Sequence, residues 1–318
     1  MKKFGKIGLA FGTILLFACG GGNEKAALSA LSGSIRIDGS STVYPITEAV
    51  AEEFRADQPA VEVTIGVSGT GGGFKKFGKG EIDICDASRL IKSKEADACS
   101  QNNIDHIGLS VAYDGLAVLV HPKNTWVDHF TTAELNKIWN PAAQGTILYW
   151  DQIREGWPHE ELHLFGPGTA SGTYDYFAEV ICGKDVGTRG DYTASEDDNV
   201  LVQGISTDKN GLGFFGLAYY QENKDKLKLV GIDNGSGVIA PSMETVSNGT
   251  YAPLSRPIFI YVSSKAAENA EINEFVNYYL DMAPSLVAEV GYIPLTNDEY
   301  ALEKTKYADF IKKYFKTK

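Results

Sequence analysis

Three glycine-rich loops of this 318-residue chain place small residues and hydroxyl side chains directly before a helical segment; they span residues 39–42, 68–73 and 168–173. The first N–H groups of a helix have no intrahelical partner and lie at the positive end of the helix dipole. Glycine lets a ligand approach that backbone closely, and serine or threonine adds hydroxyl donors. One such loop is typical of an ordinary helix cap. Three that converge would form a cage of neutral donors for a small oxyanion.

A fourth polar segment covers residues 86–89 and ends in Ser88 and Arg89. An arginine can hold an oxyanion through two parallel hydrogen bonds. The same side chain could equally form a surface salt bridge, which contributes little to stability. The residues by themselves leave both interpretations open.

Short apolar strands alternate with helical segments along the chain, which predicts an α/β fold with a largely parallel sheet. The pattern predicts strands at 34–37, 61–65, 82–85, 111–120, 162–165 and 257–262. It predicts helices at 45–55, 74–77, 131–139, 174–180, 271–281 and 300–314. His121 and Pro122 interrupt the alternation, and a second α/β segment follows. Two lobes joined by chain crossings near residues 120 and 257 would fit this order.

The first residues have the pattern of an export signal. A short basic segment precedes an apolar run from Ile7 to Ala18, too short to span a bilayer easily, and Cys19 follows. Residues 16–19 resemble the bacterial lipobox, in which cleavage leaves an acylated cysteine at the N-terminus. We therefore predict a signal peptide at 1–18 and a lipid-anchored flexible tether at 19–32. An ordinary signal peptide or an uncleaved anchor is the alternative.

The net charge of −12 excludes one class of partner. Residues 1–18 carry three lysines and no acid, so their removal leaves about −15. A nucleic acid needs a basic face, so we expect no nucleic-acid partner. An acidic surface does not exclude a buried anion, because nearby donors decide its binding and distant charges are screened.

Residues 159–163 match the His-Glu-x-x-His pattern of zinc hydrolases. That chemistry needs both histidines one turn apart on a helix. Here a proline precedes the motif and its end enters a predicted strand, where His159 and His163 would lie about 13 Å apart. A zinc hydrolase that uses these two residues is therefore the least favoured reading. No complete serine-hydrolase or Walker motif is present.

Taken together and in order, the polar motifs resemble the substrate-binding proteins of the phosphate-specific (Pst-type) ABC importers, which belong to the type II periplasmic-binding-protein family. The resemblance covers nearly all of the chain that follows the signal. The segments that carry it are 38–45, 68–75, 86–89, 112–116, 165–169, 171–173, 196–199, 255–257 and 291–295.

The resemblance implies a two-lobed clamshell in which each lobe is a mostly parallel sheet flanked by helices. Lobe 1 would comprise 33–120 and 257–318, and lobe 2 would comprise 121–256. Inorganic phosphate would lie between the lobes and pass to ABC permease subunits. The protein would be anchored through Cys19 on the outer side of the cytoplasmic membrane or in the periplasm. It would need no cofactor and would not be an enzyme.

The resemblance also implies which residues bind phosphate. In lobe 1 and lobe 2 they are Ser41, Thr42, Val43, Ser68, Thr70, Ser88, Arg89, Ser171, Gly172 and Thr173. The best-known members carry an acidic residue at the position of Ser88, where it rejects sulfate. A neutral Ser88 therefore keeps another tetrahedral oxyanion, such as sulfate or arsenate, as an alternative ligand.

A cysteine pairing is a further expectation from the resemblance. Related chains often carry a cysteine at the position of Gly78 that is able to pair with the one at Cys99. With glycine at 78, Cys85 is the obvious substitute partner, so Cys85–Cys99 is a candidate disulfide, and the pairing among Cys85, Cys99 and Cys182 is left open.

Overall fold

The computed structural model describes residues 31–169 and 171–314. The predicted signal peptide, Cys19 and the tether as far as residue 30 lie outside the described residues. Within those residues, no helix has both the length and the apolar character that a membrane span requires.

Strands and helices alternate as the sequence pattern predicts, which confirms the α/β class. The strands are β1 (Gly33–Gly39), β2 (Val61–Gly66), β3 (Ile84–Ala87), β4 (His106–Val120), β5 (His129–Thr131), β6 (His163–Pro167), β7 (Thr193–Ser195), β8 (Gly211–Gly216), β9 (Lys228–Leu229), β10 (Gly231–Asp233), β11 (Val238–Ile239), β12 (Ser255–Ser263) and β13 (Ile293–Pro294).

The helices are α1 (Tyr44–Asp57), α2 (Gly69–Phe77), α3 (Ser93–Gln101), α4 (Thr132–Trp139), α5 (Gly172–Phe177), α6 (Asp198–Thr207), α7 (Leu217–Glu222), α8 (Met243–Ser247), α9 (Ala270–Glu289) and α10 (Asn297–Tyr314). A π-helix, Ala178–Cys182, continues α5, and 3-10 turns lie at Pro141–Ala143, Trp150–Gln152 and Ala266–Glu268.

Helix α1 shows how local sequence sets an element. Pro45 lies in its first turn, where its missing N–H costs nothing. Ile46, Val50 and Phe54 follow at four-residue spacing and are fully buried, so one face of the helix packs against the sheet.

Helix α2 begins five residues earlier than the predicted start at Phe74, because the glycines of the second loop are themselves helical. A Cβ atom on Gly73 would lie 2.7 Å from the Cα of Gly39. The run of glycines therefore lets the start of α2 pack directly on the end of β1.

The main sheet has the order β2-β1-β3-β12-β4-β8-β6-β7, with β9 and β13 also paired to β4. A smaller sheet has the order β11-β10-β5. Two large buried clusters of apolar side chains lie along the main sheet. We call them the first core, formed by residues 35–112 and 258–310, and the second core, formed by residues 116–254 with Ile293.

The parallel pairing that the sequence predicts is present towards both ends of the main sheet, whereas the middle of the sheet is antiparallel. Pairing is parallel among β1, β2 and β3 and among β6, β7 and β8, but β4 is antiparallel to both β12 and β8. The chain leaves the first core along β4 and returns to it along β12. An outgoing and a returning strand that lie side by side must run in opposite directions.

The candidate Cys85–Cys99 disulfide is not formed, because both residues are free thiols, as is Cys182. Cys85 and Cys99 both lie in a small apolar cluster beneath α2, with no exposed surface. Burial raises the pKa of the Cys85 thiol above its ordinary range, so it remains protonated in this apolar site.

Candidate functional site

A cavity of about 970 Å³ opens where β4 and β12 pass between the two cores. Its wall combines three first-core loops, at residues 40–42, 69–71 and 88–90, with residues 174–176 and 178–180, which follow the third loop, and with Arg256 of β12. Three of the predicted polar segments therefore reach one cavity.

The inner end of the cavity, which we define as Thr42, Asp114, Tyr176 and Arg256, is centred on the Arg256 guanidinium. Arg256 donates from Nε and Nη2 to Asp114 Oδ2 at 3.3 Å, and from Nη2 to Thr42 Oγ1 at 3.0 Å. Its Cζ lies 3.5 Å from the centroid of the Tyr176 ring. Its Nη1 has no hydrogen-bond partner in the described part of the chain.

Asp114 fixes the orientation of this arginine. Its side chain is 4% exposed and that of Arg256 is 15% exposed, so the pair is largely shielded from water. Burial raises the pKa of the Asp114 carboxyl, and the Arg256 guanidinium opposes that rise. An arginine held in this way is preorganised to present its remaining N–H groups to an anion.

The two cores touch at this end of the cavity. Thr42 Oγ1 lies 3.4 Å from the carbonyl oxygen of Gly172, and Ser41 donates to Asp175 Oδ2 at 3.0 Å. A Cβ atom on Gly172 would lie 2.7 Å from Thr42 Cα. Glycine at 172 is therefore what allows the two loops to approach.

The second loop divides its hydroxyl groups between two tasks. Ser68 donates from its N–H to Asp38 Oδ1 at 3.1 Å, and its hydroxyl also contacts that oxygen. Lys76 pairs with the other oxygen of Asp38. Burial raises the pKa of Asp38, but Lys76 and Ser68 outweigh it and the net shift is downward. Ser68 therefore serves to hold the loop and does not line the cavity.

Thr70 and Ser88 face the cavity as a pair. Their hydroxyl oxygens lie 3.0 Å apart, and the Ser88 N–H donates to Thr70 Oγ1 at 3.1 Å. Gly69, Thr70 and Gly71 form the first turn of α2 and line the cavity. The positive end of that helix dipole therefore faces any bound anion.

Arg89 lines the outer part of the cavity, but its guanidinium is already engaged. Nη1 and Nη2 donate to the two carboxylate oxygens of Glu95 at 2.9 and 2.8 Å, and Nη1 also donates to the Leu90 carbonyl. Its Cζ lies 5.5 Å from the Phe74 ring centroid. We call Arg89, Glu95 and Phe74 the outer wall.

The other predicted ligands take different positions. The Val43 side chain is fully buried, and its N–H donates to the Ser40 carbonyl at 3.2 Å, so this amide is occupied within the turn. Ser171 caps α5 by accepting from the Thr173 N–H at 3.1 Å. Gly172 lies beside Thr42, and none of Ser171, Gly172 and Thr173 is part of the cavity wall.

The sequence reasoning did not assign Arg256 or Asp114 to the site. Both lie in segments that carried the resemblance, at 255–257 and 112–116. The sequence did contain a signal that could have found them. Asp114 and Arg256 are each a charged residue in a mostly apolar strand that runs between the two cores. Such a charge is rarely buried unless it is paired.

The His-Glu-x-x-His motif is not on a helix. His159 pairs with Asp151 Oδ2 at 2.9 Å, whereas His163 pairs with Asp208 and with Glu161. Within residues 31–169 and 171–314, no group of three or more His, Cys, Asp or Glu residues is arranged to hold a metal ion. The geometry that a zinc hydrolase requires is not formed by these two histidines.

Comparisons with known proteins agree with this architecture. A family model described as "PBP superfamily domain" matches residues 24–282. A curated relative, Protein SphX of Synechococcus elongatus, is 51% identical over 280 residues, which cover 88% of this chain and 82% of the relative. The Phosphate-binding protein PstS of Staphylococcus aureus is 36% identical over 319 residues, which cover 98% of this chain and 94% of the relative.

Solved structures give the same result. A possible phosphate binding protein from Planctomyces limnophilus aligns with a TM-score of 0.85 and 47% identity, covering 88% of this chain and 99% of that one. A putative phosphate ABC transporter substrate-binding protein from Clostridium perfringens, solved with bound phosphate, aligns with a TM-score of 0.55 and 26% identity. The alignment covers 83% of this chain and 100% of that one.

The fold and the cavity between two cores define an α/β binding protein of the PBP superfamily. Within that superfamily, the chain belongs to the Pst-type phosphate-binding protein family, as the matched model and relatives show.

Proposed function

We propose that this protein binds inorganic phosphate outside the cytoplasm and delivers it to an ABC-type phosphate importer. The observation that carries the proposal is the inner end of the cavity, where Asp114 and Thr42 fix the half-buried Arg256 and leave its Nη1 for a ligand. The names of the relatives and of the aligned structures support phosphate as the anion.

Each phosphate oxygen can accept from a different donor in this arrangement. Arg256 supplies a charge-assisted N–H, the first turn of α2 supplies the positive end of a dipole, and Thr70 with Ser88 supplies hydroxyl groups. Thr42 can turn its proton from the weak bond with the Gly172 carbonyl toward the anion. The site binds and releases its ligand unchanged, and we assign no catalytic residue and no cofactor.

In this proposal the two cores are the cores of two lobes, 33–120 with 257–318 and 121–256. The ligand touches loops from the first and residues 174–176 from the second. A ligand that makes contacts with both lobes favours the state in which they are closed.

Isothermal titration calorimetry of the purified protein with phosphate and with sulfate tests the proposal. We expect one phosphate bound per chain at micromolar concentration or below and sulfate bound much more weakly. No heat of phosphate binding at that concentration would contradict the proposal. Equally tight sulfate binding would make the protein a general oxyanion binder.

The lipid anchor at Cys19 is a separate part of the proposal and rests on the sequence pattern of residues 7–19. Fractionation of cells that express the wild type and Cys19→Ala tests it. The wild type should stay with the membrane, and Cys19→Ala should not be recovered as the lipidated membrane form. The same distribution of both forms would exclude acylation of Cys19 as the anchor.

A further inference from the structure

The side chain of Asp86, on β3, is a buried acid that the phosphate site as described above does not use. It is 1% exposed, and neither of its carboxyl oxygens has a hydrogen-bond partner among the described residues. By contrast, Asp83 lies three residues earlier, is also buried, and pairs with Arg36 through both of its oxygens. Burial at this end of the strand therefore does not by itself deprive an aspartate of partners.

The groups that face Asp86 cannot neutralise a charge on it. Thr47 of α1 and Tyr279 of α9 are fully buried, and their hydroxyls bond each other at 3.1 Å. Asp38 of β1 is a further acid in this region, and its counter-charge Lys76 is bound to it. The thiol of the adjacent Cys85 is also buried and stays protonated.

An ionised carboxylate without a partner is costly in such surroundings. Burial raises the pKa of Asp86 to about 8, the charge of Asp38 adds to the rise, and Thr47 opposes it. Asp86 is therefore a neutral acid at neutral pH and titrates in the weakly alkaline range.

Asp86 is also directly connected to the phosphate site. Its backbone carbonyl accepts from the N–H of Ser40 at 3.0 Å, and Ser40 begins the first cavity loop. Two residues after Asp86, Ser88 lines the cavity, and Thr47 lies in the first turn of α1, which follows the same first loop. A negative charge at Asp86 would thus lie directly beneath the loops that hold the anion.

We propose that the Asp86 proton is linked to anion binding: the protein binds its anion tightly while Asp86 is protonated, and the bound anion in turn strengthens the hold on that proton. This reciprocity follows from linkage between two sites on one molecule. The Asp86 side chain acts through its charge, since the bond to Ser40 is made by the Asp86 backbone carbonyl. The inference rests on the proposed function of the cavity.

The direction of the pH effect follows from the two charges. Below about pH 8 Asp86 is neutral and does not oppose the anion; above it, the carboxylate and the anion repel each other, so affinity falls. Phosphate itself passes to the dianion near neutral pH, but that change is common to every variant, so the difference between the wild type and Asp86→Asn isolates the effect of Asp86.

Calorimetric titration with phosphate between about pH 7 and pH 9.5 tests the link, with the wild type, Asp86→Asn and Asp83→Asn compared. We expect the wild-type affinity to fall by about fivefold or more across this range, as typical coupling energies imply. Asp86→Asn should bind phosphate as tightly as the wild type at pH 7, and its affinity should fall by less than about twofold across the same pH range. Asp83→Asn is the matched control, and its phosphate affinity should fall with pH as that of the wild type does.

A second readout is the proton itself. Titrations at about pH 9 in two buffers of different ionisation enthalpy report proton uptake on binding. The wild type should take up a fraction of a proton and Asp86→Asn should not. Equal pH profiles and equal proton uptake in the two proteins would overturn the link. Failure of the wild type to bind phosphate at pH 7 would instead contradict the proposed function.

Thermal melting separates these results from damage to the fold. The folded pKa of Asp86 is raised, so this group's contribution to stability is present at low pH and is lost as the pH rises from the ordinary carboxyl range to about 8. Asp86→Asn is neutral throughout and should melt at or above the wild-type temperature at neutral pH. A lower melting temperature there would contradict the neutral buried acid on which the link depends.

Discussion

The inner end and the outer wall of the cavity each present an arginine, and the two arginines are held differently. Arg89 of the outer wall pairs with Glu95, six residues later in the chain, and both of its terminal nitrogens are engaged. Arg256 of the inner end pairs with Asp114 across two antiparallel strands and keeps Nη1 uncommitted. An arginine with a local carboxylate is already satisfied, whereas one held from behind is available for a ligand.

The outer wall and the inner end also differ in how the charge of their arginine is balanced. Glu95 is itself held by the N–H of Lys92 at 2.8 Å, so the outer wall is a closed set of partners before any ligand arrives. At the inner end the partner of Arg256 is more deeply buried than Arg256 itself. The charge that faces the cavity there is positive, as an anion site requires.

Arg256→Lys should produce the largest loss of phosphate affinity, about 2–4 kcal/mol. Lysine keeps the charge but cannot bond Asp114, Thr42 and a ligand through one planar group, and it loses the stacking on Tyr176. Calorimetry with phosphate measures the loss. Arg36→Lys is the matched control, because Arg36 also pairs with an aspartate but is not part of the cavity wall. Similar losses of affinity in the two variants would mean that Arg256 has no particular role in phosphate binding.

Gly172→Ala should have the next largest effect, a loss of about 1–3 kcal/mol in phosphate affinity. The added Cβ would lie 2.7 Å from Thr42 Cα and would push the two loops apart at the inner end. Gly190→Ala is the control, since a Cβ there meets its nearest atom at an ordinary 3.6 Å. Unchanged affinity in Gly172→Ala would mean that this approach of the loops is not needed for binding.

Ser88→Ala should cost about 1 kcal/mol in phosphate affinity, because one hydroxyl of the Thr70–Ser88 pair is lost while Thr70 still accepts the backbone N–H. Calorimetry with phosphate and with sulfate measures both the loss and any change in selectivity. Ser100→Ala, which removes an exposed hydroxyl on α3, should change neither affinity. A loss as large as that of Arg256→Lys would move the centre of the site to the second loop.

Arg89→Ala should have the smallest effect, below about 1 kcal/mol, as is typical of a partly exposed ion pair. Sequence reasoning alone predicts a loss of about 2–5 kcal/mol, on the assumption that Arg89 pairs with the buried anion. Glu95→Gln sharpens the test, because it weakens the local partner and should not lower the affinity. If Arg89→Ala removed binding, the outer wall would be the primary site.

Local patterns predicted six of the thirteen strands and six of the ten helices that the structure describes, including the longest helix, α9. Helix α1 was expected at 45–55 and spans 44–57, and β2 was expected at 61–65 and spans 61–66. The spacing of apolar residues within one segment predicts its secondary structure, so no knowledge of tertiary contacts is needed. The early start of α2 was missed because glycines resemble a loop until their packing against Gly39 is known.

The site was predictable only where it is local. Thr70 and Ser88 line the cavity as expected from hydroxyls before and after short elements. The partnership of Arg256 with Asp114 joins residues 142 positions apart, and no local pattern encodes it. The sequence also does not show that α3 brings Glu95 beside Arg89, so it left an anion ligand and a salt bridge as alternatives for Arg89.

A crystal structure of the protein with bound phosphate would show which of the two arginines holds the ligand. We expect the phosphate at the inner end, with an oxygen within about 3 Å of Arg256 Nη1 and with hydroxyl donors from Thr42 and the Thr70–Ser88 pair. The bonds between Arg89 and Glu95 should remain in place. Phosphate bound to an Arg89 released from Glu95, with Arg256 still turned to Asp114 and free of ligand, would contradict the account.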